Sequence, residues 1–332
     1  MKTYYIYHHT DDDGWGSASV VLLHLLQTNK IKSWNDTNVK LISYSYEPIK
    51  NKFFPDSDFK ENDVVFMVDL SVSENTKDKF IAMLLDMKQK NIEFTWIDHH
   101  KSSYDLLSDI TLSVLLRNTE FFHHYIDINY CASYNCWYYL FKNSAVPEII
   151  RIIDDWDCWK QRLQITKSFH YGFNSSGVNL PSCNLWCDWL TDRGKCLTFI
   201  NKCVEKGKYI IRYINEDDKL RYMYHFDCKF FGFNCCCLNA RRDSDIFIDY
   251  DTYDLVLSFI YDGKYYKYSI YSANKQNEVF CDKIASYFNG GGHKGAAGFI
   301  NKHLVVTKHK SLCYKIKDIY RKLIYRFMIK KG

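Results

Sequence analysis

"DVVFMVDL", residues 63–70, sets five consecutive apolar residues between two aspartates. A strand covered by helices on both faces of a parallel sheet reads this way, as an unbroken apolar run. Working outward, "SENTKDKFIAMLLDMKQKN" (73–91) follows as an amphipathic helix with Ser73 as its expected N-cap. "IEFTWIDHH" (92–100) is a second strand of the same kind. Upstream, "TYYIYHH" (3–9) is aromatic and β-branched enough for a strand, and "GSASVVLLHLLQTNK" (16–30) has the length and apolar pattern of a helix. Strand, helix, strand, helix, strand implies right-handed crossovers and a parallel sheet.

The remainder of the chain changes character twice. Helical stretches are expected at 129–142 and 145–154, the second running into "DDWDCWK" (154–160). Residues 166–220 are less regular, with a loop at "NSSGVNLPS" (174–182) and a long helix over 195–220. Strand-like segments follow at 224–240, 253–261 and 264–272, the last two joined by Asp262-Gly263, a strong hairpin signal. "NEVFCDKIASYF" (277–288) reads as a helix running into "NGGGHKGAAGF" (289–299). The expected class is α/β: a parallel-sheet domain over 1–165, a helical linker over 166–220, a smaller α/β domain over 221–301, and a basic helix over 302–332.

With 332 residues the chain is long enough for two domains. Its 47% hydrophobic and 25% charged content is that of a globular protein. The N-terminus lacks the apolar core of a signal peptide, and no window offers the roughly 18 apolar residues of a membrane helix. The 13 cysteines are scattered, so reduced thiols in a cytoplasmic protein are expected, with Cys235, Cys236 and Cys237 as buried structural residues. Residues 302–332 hold ten Lys or Arg against one acid, Asp318, a net of +9; the whole chain is +5, so the body sums to −4.

Chemistry concentrates at the strand ends. "HHTDDDG" (8–14) places His9, Asp11 and Asp13 just past the first strand, Asp69 closes the next, and Asp98-His99-His100 closes the third. Ligands bind outside the carboxyl ends of the strands in such sheets. Asp and His without cysteine favour Mn²⁺, with Mg²⁺ or Fe²⁺ as alternatives, over structural zinc. Two divalent ions would balance four carboxylates: Asp11, Asp13, Asp69 and one from the 154–157 cluster. Such a pair activates water and holds the attacking and leaving oxygens of a phosphate ester. Asp69, central among the strands, is the natural bridge. Asp12 reads as a solvated turn residue.

The motifs "HTDDDG", "MVDLS", "DHH" and "GGGHKGAAG", in this order, resemble the DHH phosphoesterase family with its associated C-terminal domain, over roughly residues 3 to 300. "YYIYHHTDDDG", "IDHHK" and "DWDCW" look most like its nanoRNase branch, which hydrolyses short RNA oligonucleotides. That resemblance implies His9 and Asp11 on one metal, Asp13 and His99 on the second, Asp69 on both, His100 facing the phosphate, and Asp98 orienting the histidines. Asp154, Asp155 and Asp157 all remain candidates for the last carboxylate, with Asp157 the best match.

In the second domain Gly290, Gly291 and Gly292 allow close backbone approach to a phosphate and an anion nest, with His293 as a further donor. Related sequences tend to carry an arginine in the preceding strand, where this chain has Ser269-Ile270-Tyr271-Ser272. Tyr271 could stack a base, and Arg241 or Arg242 could supply the charge. In the basic tail, Leu312, Ile316, Ile319, Leu323 and Phe327 have helical spacing, suited to docking on the helix's own domain or on the mate in a homodimer. The expected activity is hydrolysis of short oligoribonucleotides to nucleoside monophosphates. Hydrolysis of cyclic or linear signalling dinucleotides is the near alternative, and a catalytically silent nucleotide-binding module the distant one. No membrane partner is expected.

Overall fold

The computed structural model describes residues 2–45, 59–72, 76–117, 120–142, 144–222, 225–239, 252–273, 279–306 and 312–330. They divide into two compact units, Met1–Ile210 and Ile211–Gly332. Among the described residues, no helix is long and apolar enough to cross a membrane.

The first unit runs β1 (Tyr4–His9), α1 (Asp12–Gln27), β2 (Val39–Tyr44), β3 (Val64–Val68), α2 (Lys77–Gln89), β4 (Glu93–Asp98), α3 (Lys101–Leu106), α4 (Ile110–Leu116), β5 (Phe122–Ile126), α5 (Ala132–Phe141), α6 (Glu148–Asp157), α7 (Thr166–Asn174) and α8 (Leu185–Thr191), then enters α9 (Arg193–Tyr222), which crosses into the second unit. The five strands form one parallel sheet in the order β2-β1-β3-β4-β5. Alternation along each strand feeds two cores. Tyr4, Ile6, Val64, Phe66 and Val68 face α1, α5 and α6, whereas Tyr5, Tyr7, Val65, Met67, Phe94 and Trp96 face α2, α3 and α4. Both faces are covered, which is why the central strands carry so few polar residues. Burying a side chain such as Ile6 or Trp96, each 0% exposed, contributes about 1.5–3 kcal/mol.

β2 and β5 lie at the two edges of this sheet. The segment expected as a linker also joins the first core, since Phe169, Phe173, Trp186, Trp189, Ile200, Cys203 and Val204 pack with Ile6 and Val20. Its helices α7 and α9 cross backbone against backbone. A Cβ on Gly172 would overlap the Cys203 carbonyl, and one on Gly207 would overlap that of Ser168. The helix expected from Ser73 is seen from Lys77, after Thr76; Ser73 lies outside the described residues.

The second unit holds a six-stranded mixed sheet in the order β10-β11-β9-β8-β7-β6, built from β6 (Phe226–Phe230), β7 (Phe233–Leu238), β8 (Leu255–Tyr261), β9 (Tyr266–Ser272), β10 (Gly291–Gly292) and β11 (Ala296–Asn301). The Asp262-Gly263 hairpin forms as expected: Gly263 takes a φ of 95°, and the Asp262 carboxylate accepts from the Lys264 and Tyr265 amides. α10 (Cys281–Tyr287) and α11 (Leu312–Lys330) cover one face of the sheet. α11 docks there through Tyr325 and Ile329, with the Arg321 guanidinium 5.4 Å from the Phe230 ring centroid and donating to the Val305 carbonyl. Of the two expectations for the apolar stripe, docking on the helix's own domain does not hold, since Ile319, Leu323 and Phe327 are each more than half exposed.

Candidate metal centre

The strand order makes a site at one place. The chain leaves β1 toward β2 on one side and later returns to β3 on the other, so the connections diverge between β1 and β3. Such a switch point opens a crevice beyond the carboxyl ends of the strands. His9 is the last residue of β1, and Asp69 follows the last residue of β3. Asp98 ends β4, with His99 and His100 leading into α3. Asp157 arrives from elsewhere, as the last residue of α6.

The turn after β1 is held tightly. Asp11 N-caps α1, its carboxylate accepting from the Gly14 amide at 2.9 Å and pairing with His9 Nδ1 at 2.6 Å. Gly14 is obligatory here, because a Cβ would collide with the His9 carbonyl. Asp13, in the first turn of α1, accepts the Ala132 and Ser133 amides at 2.7 and 2.8 Å, and Asp154 accepts the neighbouring Cys131 amide. The first amides of α5 are thus taken by two carboxylates, and the positive end of that helix favours their charge.

The donors converge without bonding one another fully. His99 Nε2 lies 3.3 Å from Asp157 Oδ2, 3.5 Å from Asp69 Oδ1 and 3.8 Å from Asp13 Oδ2. His9 Nδ1 is 3.8 Å from Asp69 Oδ2, and His100 Nδ1 is 4.0 Å from Asp69 Oδ1. Ligands at about 2.1 Å around an octahedral ion stand about 3 Å apart, so this spacing suits donors around a shared cation. Within the first unit, two overlapping groups bring their donor atoms within 4.8 Å of one another: His9, Asp11 and Asp69, and Asp69, Asp98, His99 and His100. Asp69 belongs to both. Asp69 Oδ2 and Asp157 Oδ2 are buried with no hydrogen-bond partner among the described residues, which suits them as cation donors.

Electrostatics follow the same logic. Burial, then the charges of Asp13 and Asp11, push the Asp69 carboxyl well above the ordinary range. Burial and the same two charges push Asp157 up. Asp98 moves oppositely: against burial, the charge and the 2.8 Å hydrogen bond of His100 Nδ1 hold it down at about 2. Of the three aspartates of α6, Asp154 is engaged by Cys131 and, at 2.6 Å, by Lys160 Nζ. Asp155 accepts from the Arg162 and Leu163 amides and from Thr166 Oγ1.

No protein-family model matches the chain. Among solved structures it resembles the DHH domain of a member of the s1p family of ribosomal proteins, at a TM-score of 0.50 and 12% identity, over 99% of this chain and 86% of that one. The fold is DHH-like. A pGpG-specific phosphodiesterase, PggH of Vibrio cholerae, is similar at a TM-score of 0.42 and 12% identity over the whole of both chains. In sequence, the chain is 23% identical over 325 residues to an uncharacterized protein, R106, of Acanthamoeba polyphaga mimivirus. It spans 66% of the length of that relative, which matches 88% of this chain.

Within this DHH-like fold, Asp12 is not a solvated turn residue. It is 5% exposed and pairs with His170 Nδ1 at 2.7 Å and Asn174 Nδ2 at 2.8 Å, while His170 stacks on Trp156. Helix α1 leaves no turn at position 12, so the side chain points into the packing of α7. Neither partner carries a local sequence signal, since both lie more than 150 residues away. The amides of α5 that meet Asp13 were equally hidden. In the second unit, Gly290 and His293 donate their amides to the Ala285 and Ala296 carbonyls. A Cβ on Gly290 would overlap the Gly298 carbonyl, and Gly292, at a φ of 140°, abuts Ala297; Gly291 faces open space. Tyr271 packs beside Cys236, Tyr253 and Val256 on the sheet face opposite α10. Arg241 and Arg242 lie outside the described residues.

Proposed function

We propose that the chain is a metal-dependent phosphoesterase, and within that class a phosphodiesterase that hydrolyses short oligoribonucleotides to nucleoside monophosphates. The observation that carries the reading is the convergence of Asp11, Asp13, Asp69 and Asp157 with His9 and His99 at the switch point. Like charges are brought together at the cost of raised carboxyl pKa values for Asp69 and Asp157, and a buried oxygen of each lacks a hydrogen-bond partner among the described residues. His9 and Asp11 would hold one divalent ion, Asp13, His99 and Asp157 a second, and Asp69 both. Mn²⁺ suits these donors. Such ions, when bound, activate water and neutralise charge on the scissile phosphate. Asp98 stays ionised, fixes the His100 ring through Nδ1, and so presents the imidazole to a phosphate oxygen. Asp13 keeps its orientation through the α5 amides. Gly290, Gly291, Gly292, His293 and Tyr271 of the second unit, with Arg241, are the proposed substrate-binding residues. The free thiols throughout the described residues support a reducing compartment such as the cytoplasm.

The test is turnover by the purified chain with Mn²⁺ on RNAs of two to ten nucleotides and on cyclic and linear dinucleotides. Release of nucleoside monophosphates from the shortest RNAs, lost with Asp157→Ala, is expected. Turnover of cyclic dinucleotides alone would replace the substrate, and no turnover of any phosphodiester would remove the activity.

A further inference from the structure

The β6–β7 hairpin carries four thiols that the phosphoesterase reading leaves unused, and three of them share one face. Cys228 stands directly opposite Cys235 in the ladder, and Cys237 lies two residues further along the same face. Side chains alternate across a strand, so Cys235 and Cys237 enter the core beneath α10 and α11 while Cys236 points to the other face. Buried cysteines can serve simply as small apolar side chains, in which case their sulfurs need not meet. The sulfurs instead converge: Cys228 Sγ is 3.2 Å from Cys237 Sγ, Cys235 Sγ is 3.7 Å from Cys237 Sγ, and all three lie within 4.8 Å of one another. Zn–S bonds of about 2.3 Å at tetrahedral angles put sulfurs about 3.8 Å apart, which this spacing brackets. Asp318, the lone acid of the basic C-terminal segment, is brought to the hairpin turn by α11 and accepts the Gly232 amide at 3.2 Å.

We propose that Cys228, Cys235 and Cys237 form a thiolate site for a thiophilic divalent cation of the Zn²⁺ class, separate in donor chemistry from the Asp/His centre of the first unit. Thiolates select zinc-like ions, whereas Mn²⁺ and Mg²⁺ prefer oxygen. On binding, each thiol loses its proton to solvent as a sulfur–metal bond forms, three protons for one ion, with no change in oxidation state. The three-sulfur group then carries one net negative charge, and its fourth position is left to an oxygen donor. Without the ion, burial and the neighbouring sulfurs keep Cys235 protonated. The partly exposed Cys228 gives the ion its way in.

The experiment titrates the full chain, reduced and stripped with chelator under anaerobic conditions, with Cd²⁺ as the probe, followed by thiolate-to-metal charge-transfer absorption. The band is expected to saturate at one equivalent, to be displaced by Zn²⁺ and to release protons. It should persist in Asp69→Asn, which damages the first-unit centre, and in Cys131→Ala and Cys158→Ala, which remove thiols near that centre. Cys228→Ala and Cys237→Ala should weaken Cd²⁺ binding by at least about a hundredfold, the upper range for merely supporting groups. Their folding is checked on the metal-free chain by circular dichroism. If Cys237→Ala does not fold, Cys228→Ala, at the less buried position, decides. An absent band, a band unchanged in Cys228→Ala, or a Cys228–Cys237 disulfide formed in the presence of reductant would each overturn the site. Because the readout is specific to sulfur, failure here leaves the phosphodiesterase assay untouched, and the reverse holds too.

Discussion

Asp69 leaves β3 with a φ of 55°, a left-handed conformation that Asn and Asp tolerate better than other side chains bearing a Cβ. Strain of this kind costs about 1–3 kcal/mol and gathers at functional sites. The side chain is also 2% exposed among like charges. Asp69→Asn keeps the shape and the left-handed preference but removes the charge. We expect it to fold, to raise the unfolding temperature of the metal-free protein, and to lower phosphodiesterase turnover by more than about a hundredfold, since losing a ligand should exceed the 10–100-fold loss typical of a supporting group. Calorimetry with chelator, alongside turnover with Mn²⁺, checks both halves. Retained turnover would remove Asp69 from between the ions.

At the scale of the element, α6 delivers aspartates with separate tasks from a single turn. Positions 154 and 157 lie about 60° apart around a helix, and 155 about 100° from 154 on the other side. Asp154 therefore reaches α5 and Lys160, Asp155 ties down the chain after α6, and Asp157 extends toward His99. Asp154→Ala leaves the buried Cys131 amide without an acceptor and the partly buried Lys160 ammonium with only the Tyr130 ring beside it, and should cost about 1–3 kcal/mol of stability. Asp157→Ala should abolish turnover while leaving the metal-free unfolding free energy unchanged or higher, since it relieves repulsion. Denaturant unfolding of the two variants without metal separates them, and equal losses would merge the roles assigned here. The same scale explains which face of α11 packs on its own unit. Counting Leu, Ile and Phe favours the stripe through Ile319, Leu323 and Phe327. The buried face instead uses Tyr325, Ile329 and a guanidinium lying over aromatic rings, pairings that apolar periodicity does not register.

For the whole molecule, a cation bound only by the folded state should raise stability by mass action, about 2.7 kcal/mol at a hundred times Kd. Unfolding temperatures should therefore climb with Mn²⁺ and fall with chelator, and identical values in both would argue against a metal centre in the first unit. β1, β3 and β4, with the aspartates and histidines at their ends, were legible in the sequence because strands covered on both faces leave unbroken apolar runs. β2 and β5 were not, because edge strands need no such run: "VKLISY" is half exposed and "FHHYI" carries two histidines. Helices α7 and α8 hid behind their shortness and aromatic clutter, and the partners of Asp12 and Asp13 lie more than a hundred residues away, beyond any local pattern.

The backbone-to-backbone crossing of α7 and α9 has a genetic corollary. Gly172 and Gly207 each sit where any side chain would enter a carbonyl of the opposing helix, and α7 carries the His170 and Asn174 that grip Asp12, between two candidate ligands. In a library sampling every codon, positions 172 and 207 should tolerate glycine alone and be purged as thoroughly as codons 11 and 69. A map of mutational sensitivity would then place these two glycines among the active-site residues, although neither has a side chain with which to touch a substrate.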